Sequence, residues 1–187
     1  MRVKSLVMLM LLGAVVSGCA SLPPSPQTCY PFRAAFEARM GQDEGLKSMA
    51  GALLLESSDR GLAQAYGPMG LASGTVRIAD GRLSLEDVWG QSLGDSELPL
   101  RDLPGLLAGD LPRRGLISSS RQADGRRLRY VWGLIWLDAA GRPTRIAVGS
   151  DTDLWLESAA GRLAVRGCAA GLDLELDLEV LEGGCWR

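Results

Sequence analysis

From Leu172 to Val180 apolar and acidic residues alternate without a break: Leu172-Asp173-Leu174-Glu175-Leu176-Asp177-Leu178-Glu179-Val180. Successive side chains of a strand point to opposite faces, so this segment predicts a strand with a leucine face and a carboxylate face. Carboxylates in such a row can serve acid–base chemistry or bind cations, but a strand with one face in water shows the same row. The solvated face is the reading adopted. Similar short runs fill most of the chain, at 49–56, 61–67, 71–79, 82–89, 115–121, 126–137, 143–149, 152–158, 162–168 and 172–181. Between them stand turn-forming pairs: Asp80-Gly81, Asp124-Gly125, Ala140-Gly141, Ala160-Gly161 and Ala170-Gly171. About ten strands joined by short hairpins predict a meander, an antiparallel sheet curling toward a barrel.

In the run 126–137, Leu128, Tyr130, Trp132, Leu134 and Trp136 fall on one side, while Arg127 and Arg129 begin the other. Two tryptophans on one strand face either fill a core or wall a lipid-sized cavity. Two segments break the strand pattern. Pro31 followed by Phe32, Phe36 and Met40, spaced four apart, predicts a first helix over Pro31–Met40. The stretch 94–113 predicts a short amphipathic helix. There Asp102 is the N-cap, Pro104 sits in the first turn, Leu103, Leu106 and Leu107 form the apolar face, and Gly109 is the stop. Such a helix within a curled sheet would be a plug or lid.

The N-terminus follows a different logic. Arg2 and Lys4 precede an apolar run of 11 residues, Leu6 to Val16, which ends in Val16-Ser17-Gly18-Cys19. A membrane-spanning helix needs about 20 residues, so the run predicts a secretory signal peptide rather than an anchor. The tetrapeptide resembles the bacterial lipobox, in which the cysteine is lipidated and becomes the new N-terminus. The resemblance implies a signal peptide over 1–18, lipidation of Cys19, a proline-rich tether over 19–28 and a folded domain over 29–187. Two or more acyl chains give stable anchoring where one does not. Ala20 follows the cysteine where an Asp would retain the protein at the inner membrane, so the expectation is the outer membrane, facing the periplasm.

Composition narrows the chemistry. Beyond residue 18 the chain carries 18 basic residues against 22 acidic ones, so nothing suggests nucleic acid. Histidine is absent from the whole sequence, which removes Ser-His and Cys-His catalysis, and no enzyme activity is expected. Cys29, Cys168 and Cys185 lack the spacing of a zinc site, so neither metal nor cofactor is expected. In an oxidising compartment one disulfide is expected, with one thiol left over. Cys168 lies beside a hairpin turn and Cys185 beyond the returning strand, which makes that pair awkward. Cys29–Cys185 and Cys29–Cys168 remain.

Residues 66–112 resemble the LolB family of bacterial outer-membrane lipoprotein receptors, relatives of the periplasmic carrier LolA. The resemblance is carried by Tyr66-Gly67-Pro68-Met69-Gly70 before a strand, then Leu98-Pro99-Leu100, then Leu103 and Leu106-Leu107-Ala108-Gly109-Asp110-Leu111-Pro112. Met69 stands where the family's loop has leucine, and Gly105-Leu106-Leu107 where its helix commonly has tryptophan. The resemblance implies an incompletely closed antiparallel β-barrel, a half-barrel, of roughly eleven strands with lid helices over an apolar cavity. It implies that Pro68, Met69 and Gly70 form a membrane-insertion loop. It also implies as partners the acyl chains of lipoproteins or lipids, a periplasmic lipoprotein carrier, and the membrane itself through the N-terminal lipid. Leu103, Leu107, Leu128, Tyr130, Trp132, Leu134 and Trp136 are the candidate acyl-binding residues. The alternative is the same fold used as a non-enzymatic scaffold module for a protein or glycolipid partner.

Overall fold

The structure, a computed structural model, describes residues 29–41, 47–67, 70–87, 89–97, 101–169 and 171–186. Cys19, Pro68, Met69 and the Leu98-Pro99-Leu100 motif lie outside the described residues. Thirteen strands form one antiparallel sheet. They are β1 (Phe32–Gly41), β2 (Lys47–Ser57), β3 (Arg60–Tyr66), β4 (Ala72–Ala79), β5 (Arg82–Glu86), β6 (Ser92–Glu97), β7 (Leu116–Gln122), β8 (Gly125–Tyr130), β9 (Gly133–Asp138), β10 (Pro143–Val148), β11 (Thr152–Ala159), β12 (Arg162–Ala169) and β13 (Leu172–Glu182). Among the described residues one helix, α1 (Leu103–Leu107), lies between β6 and β7.

The sheet order is β6-β5-β4-β3-β2-β1-β13-β12-β11-β10-β9-β8-β7. Each strand neighbours its successor except β6, which does not pair with β7. β1 pairs with β13, and β6 and β7 are the free edges, so the sheet does not close into a barrel. Tight turns fit this meander. Asp80-Gly81 and Ala160-Gly161 both take positive φ at both positions (51° and 79°, 46° and 80°), the combination that matches a two-residue turn to strand twist.

One face of the sheet is the core. Phe32 lies opposite Leu55, Ala34 opposite Leu53 and Phe36 opposite Leu178. Leu178 is opposite Leu163, Val165 opposite Leu156, and Ile146 opposite both Leu154 and Ile135, which in turn is opposite Leu128. Most of these are fully or almost fully buried. A flat sheet with one short helix cannot bury a single face across so many strands, so the sheet curls over that face.

The other face is polar and stitched across strands. Arg33 pairs with Glu182, Arg39 with Glu175 and Arg166 with Asp177. Arg145 is the most heavily engaged. Its guanidinium lies between the rings of Trp136 and Trp155, 4.7 and 4.6 Å from their centroids. Its Nε and Nη2 donate to the two carboxylate oxygens of Asp153 at 2.8 and 2.7 Å. Stacking and a bidentate carboxylate hold the guanidinium plane from two directions.

Three strands escape the sequence reading. The helix expected over Pro31–Met40 is β1. Its residues Phe32, Phe36 and Met40 do share a face, because a spacing of four satisfies the strand period of two as well as the helical one. What separates the two is Ala34 and Ala38, which are buried on that same face. Just outside them, Arg33 and Arg39 point outward to their carboxylates. Pro31, joined to Tyr30 by a cis peptide, precedes the strand. The edge strand β6 is polar, Ser-Leu-Gly-Asp-Ser-Glu, and so carries no apolar alternation. The run 126–137 is two strands, β8 and β9, joined by a turn at Val131-Trp132, residue types with no turn signature.

The Arg145 bond holds the Asp153 carboxyl below its ordinary range. Its share of stability is therefore present above the unfolded carboxyl pKa of about 3.9 and is lost as pH falls through the depressed folded value. Asp153→Asn is expected to be less stable than wild type at pH 7 by denaturant unfolding, and the gap is expected to close in acid. A gap unchanged between pH 7 and pH 2 would show that the pair does not contribute through its charge.

Candidate functional site: a capped apolar trough

The inner face is unevenly covered. Toward the start of β1 and the end of β2, Phe32, Leu55, Leu106 and Ala108 are completely buried. At the other end of β1, where it meets β2 and β13, the cover stops. Met40, Met49, Leu85 and Leu172 keep 38–42% of their surface exposed. Phe36, Leu174 and Leu176 between the two zones are half-buried. Registers place these on one face: Met40 opposite Leu174, Ala38 opposite both Leu176 and Met49, and Leu85 opposite Val76. The result is an apolar trough closed at one end and open at the other.

The closed end is capped by α1 and its flanks. Pro104, Gly105 and Leu106 are its buried residues. Asp102 precedes it, but its side chain makes no cap; the Asp102 carbonyl accepts from Leu106 N–H at 3.0 Å. The Trp132 side chain lies by the carboxylate instead and favours its charged form. Gly109 ends the helix with φ +80°, and a β-carbon there would lie 3.1–3.3 Å from Cys185. Three contacts pin the cap. Trp186 Nε1–H donates to the Leu107 carbonyl at 2.7 Å, Cys185 N–H donates to that of Ala108 at 2.7 Å, and the Tyr130 hydroxyl donates to that of Pro112 at 2.9 Å. Cys29 and Cys185 form a disulfide beside it, one of the two pairings the sequence left open. Cys168 stays free of a disulfide.

The cap has a polar outer side. A cavity of about 630 Å³ there is lined by Ser58, Asp59, Arg101, Asp102, Asp110 and Trp132, among others. Burial is the main cause that pushes the Tyr130 phenol up to about 12, with the Asp102 charge adding to it. Burial, then Asp110, moves Tyr30 upward, and burial raises Asp102 against the opposing pull of Arg101 and Trp132. Both phenols remain protonated donors at neutral pH. Among the described residues no group of three or more carboxylates and cysteines is placed to hold a metal ion.

The open end is ringed by hairpin loops. In an antiparallel meander the β3–β4 and β5–β6 connections leave the same end of the sheet as the end of β1 and the start of β13. The β3–β4 loop is closed by Gly67 N–H to the Leu71 carbonyl at 2.7 Å, and its Leu71 is 67% exposed. The β5–β6 loop is held by Asp87, whose carboxylate accepts from the backbone N–H groups of Trp89 and Gln91 at 2.9 and 2.8 Å. Trp89 at its tip is 82% exposed. Both loops thus present large apolar side chains to solvent.

The predicted cavity residues divide. Leu128 and Tyr130 lie in the core, and Leu103 and Leu107 pack partly buried against it. Trp132 stacks on Tyr130 at 5.0 Å. Leu134 and Trp136 are on the opposite face: Leu128 is opposite Ile135, whereas Trp136 is opposite Arg127. The turn at Val131-Trp132 shifts the parity, so Ile135 and Leu137 are the inward residues of β9. Met40, Met49, Leu172, Leu174 and Leu176 were not among the predicted acyl-binding residues, although the four-residue spacing marked Met40 as facing with Phe36 and the leucine face of 172–180 marked three others. Trp89 carried only the signal of a tryptophan in a glycine-bearing turn.

No protein-family model matches the chain, and no curated protein does. Solved structures are similar in chain course. One is a LolA superfamily protein from Nitrosomonas europaea, 12% identical, covering 79% of this chain and 83% of that one, with a TM-score of 0.48. Another is a putative outer membrane lipoprotein-sorting protein domain from Vibrio parahaemolyticus, 11% identical over 81% and 86%, with a TM-score of 0.47. A DUF1329 family protein from Desulfovibrio piger is 10% identical over 79% and 82%, at 0.37. These are loose superpositions at low identity.

The disulfide closes a loop with a sequence separation of 156. On chain-entropy grounds, replacing both Cys29 and Cys185 by serine is expected to lower unfolding stability by about 3–5 kcal/mol. Hydrogen exchange of α1 and of residues 183–186 is expected to rise with it. Protection in α1 that stays at the wild-type level would show that the cap does not depend on the bridge.

Proposed function

We propose that this chain is an outer-membrane lipoprotein that shelters acyl chains in the open trough and helps receive or insert lipoproteins or lipids at the membrane. One observation supports this reading above the others. The uncovered apolar part of the inner face opens at the end where exposed apolar loop tips project. A chain leaving the trough would meet Leu71 and Trp89 first, and Met69 stands two residues before Leu71. Tryptophan suits a membrane interface, and methionine is apolar and unbranched enough to dip into lipid.

The role needs binding and release, not catalysis. Burying a methylene is worth about 0.8 kcal/mol, so a dozen of them would contribute on the order of 10 kcal/mol. The histidine-free composition and the apolar character of the trough agree with a binding protein. Cys19, lipidated, would hold the trough at the membrane where cargo is delivered. A periplasmic carrier would be the donor.

The test separates uptake from delivery. Met49→Asp combined with Leu174→Asp is expected to weaken binding of a fluorescent sixteen-carbon fatty acid by at least about tenfold, since a charge is placed on the apolar wall. Met69→Glu combined with Trp89→Ser is expected to bind the probe normally but to deliver it to vesicles more slowly. Cys19→Ser is expected to move the protein out of the outer-membrane fraction while it stays folded. Unchanged probe binding in the Met49/Leu174 variant would sink the trough as the acyl site. A wild-type protein that takes up no probe but captures one protein partner stoichiometrically would favour the scaffold role.

A further inference from the structure

The β7–β8 hairpin is a basic island in an acidic chain. Residues 116–130 carry Arg121, Arg126, Arg127 and Arg129 against one acid, Asp124, whereas the whole chain has a net charge of −2. All four arginines are exposed. Six other arginines, Arg33, Arg39, Arg77, Arg142, Arg145 and Arg166, each make an ion pair, while among the described residues the strand residues Arg60 and Arg162 stand singly and unpaired. Among the described residues none of the four hairpin arginines makes an ion pair either. Arg121 even lies directly opposite Arg126, a like-charge cross-strand pair that costs stability.

Two of the four share a concavity. Arg127 and Arg129 alternate along β8 and so point to one face, with Ser120 opposite the first and Ser118 opposite the second. These four side chains, with Trp132 and Leu134, line a hollow of about 520 Å³ on the sheet's outer surface, and no carboxylate lines it. Two guanidinium forks and the Ser118 hydroxyl supply donors from several directions, and the Ser120 hydroxyl, which donates to the Arg127 carbonyl at 3.5 Å, can turn to a ligand instead. That suits a tetrahedral oxyanion better than a planar carboxylate.

We propose that Arg127, Arg129, Ser118 and Ser120 form a binding site for a phosphate group. The site is on the opposite face of the sheet from the trough and does not rest on acyl binding there. Two sources offer this chemistry, free phosphate and a phosphate-bearing lipid headgroup.

Calorimetric titration of the full chain in detergent with inorganic phosphate, short-chain phosphatidic acid and short-chain diacylglycerol distinguishes them. Phosphatidic acid is expected to bind and diacylglycerol not to bind at this site. Arg127→Gln with Arg129→Gln is expected to weaken phosphatidic acid binding by at least about tenfold, and added salt to weaken it in wild type. Ser118→Ala with Ser120→Ala should weaken it less, and Arg60→Gln with Arg162→Gln not at all. Inorganic phosphate bound as tightly as phosphatidic acid supports the site and assigns it to the free ion. Folding of each variant is checked by circular dichroism, and uptake of the fatty-acid probe by the Arg127/Arg129 variant shows whether the trough is intact. Absence of binding by both phosphate compounds, or binding unchanged in the folded Arg127/Arg129 variant, overturns the proposal.

Discussion

Everything in this fold hangs on the pairing of its first strand with its last. All other neighbours in the sheet are consecutive, so β1–β6 and β7–β13 would be two separate meanders without the β1–β13 ladder. That ladder is long, running from Arg33 opposite Glu182 to Gly41 opposite Asp173, with one irregularity near its start. It sets Phe36 against Leu178 and Met40 against Leu174, which aligns the leucine face of β13 with the core face of β1. It also brings the segment before β1 beside the segment after β13. The disulfide and the docking of α1 on Cys185 and Trp186 follow from that neighbourhood.

The open sheet is the second constraint. Long single sheets curl, and curling with closure would hide the interior in the manner of a filled barrel. Here β6 and β7 remain unpaired with each other, and the chain between them supplies the cap instead. The bond from Tyr130 to Pro112 ties that cap to β8, while Trp186 and Cys185 tie it to the β1–β13 seam. One end is therefore pinned to both halves of the sheet. Around the other end, among the described residues, stand hairpin loops.

Much of this was legible in the sequence because strand alternation is a local signal. The leucine–carboxylate alternation of 172–180, the turn pairs and the short helix ending at Gly109 are each written within a few residues. What was not legible is what depends on partners or on parity. The four-residue spacing of Phe32, Phe36 and Met40 is neutral between helix and strand, and only the strands on either side of β1 decide it. Val131-Trp132 carries no turn chemistry, yet it fixes which of Ile135 and Trp136 points inward. A single such unmarked turn sent Leu134 and Trp136 to the wrong face while leaving Leu128 and Tyr130 in the core. The Cys29–Cys185 bridge was one of two open pairings because only the β1–β13 seam selects between them.

The uneven cover of the inner face bears on how a bound chain could leave. A fully enclosed acyl chain would gain close to the full burial energy, and the bilayer could offer little more in exchange. Walls that keep 38–42% of Met40, Met49, Leu85 and Leu172 in water leave a bound chain partly wet at that end. The part nearest the opening is then held least, and transfer to lipid removes the remaining apolar surface from water. In the proposed role the direction of transfer follows from that gradient: burial deepens from the loop end toward the cap, so a chain would be released end-first past Trp89 and Leu71. The pinned cap matters to this as much as the open end does, because a trough open at both ends would have no gradient to set a direction.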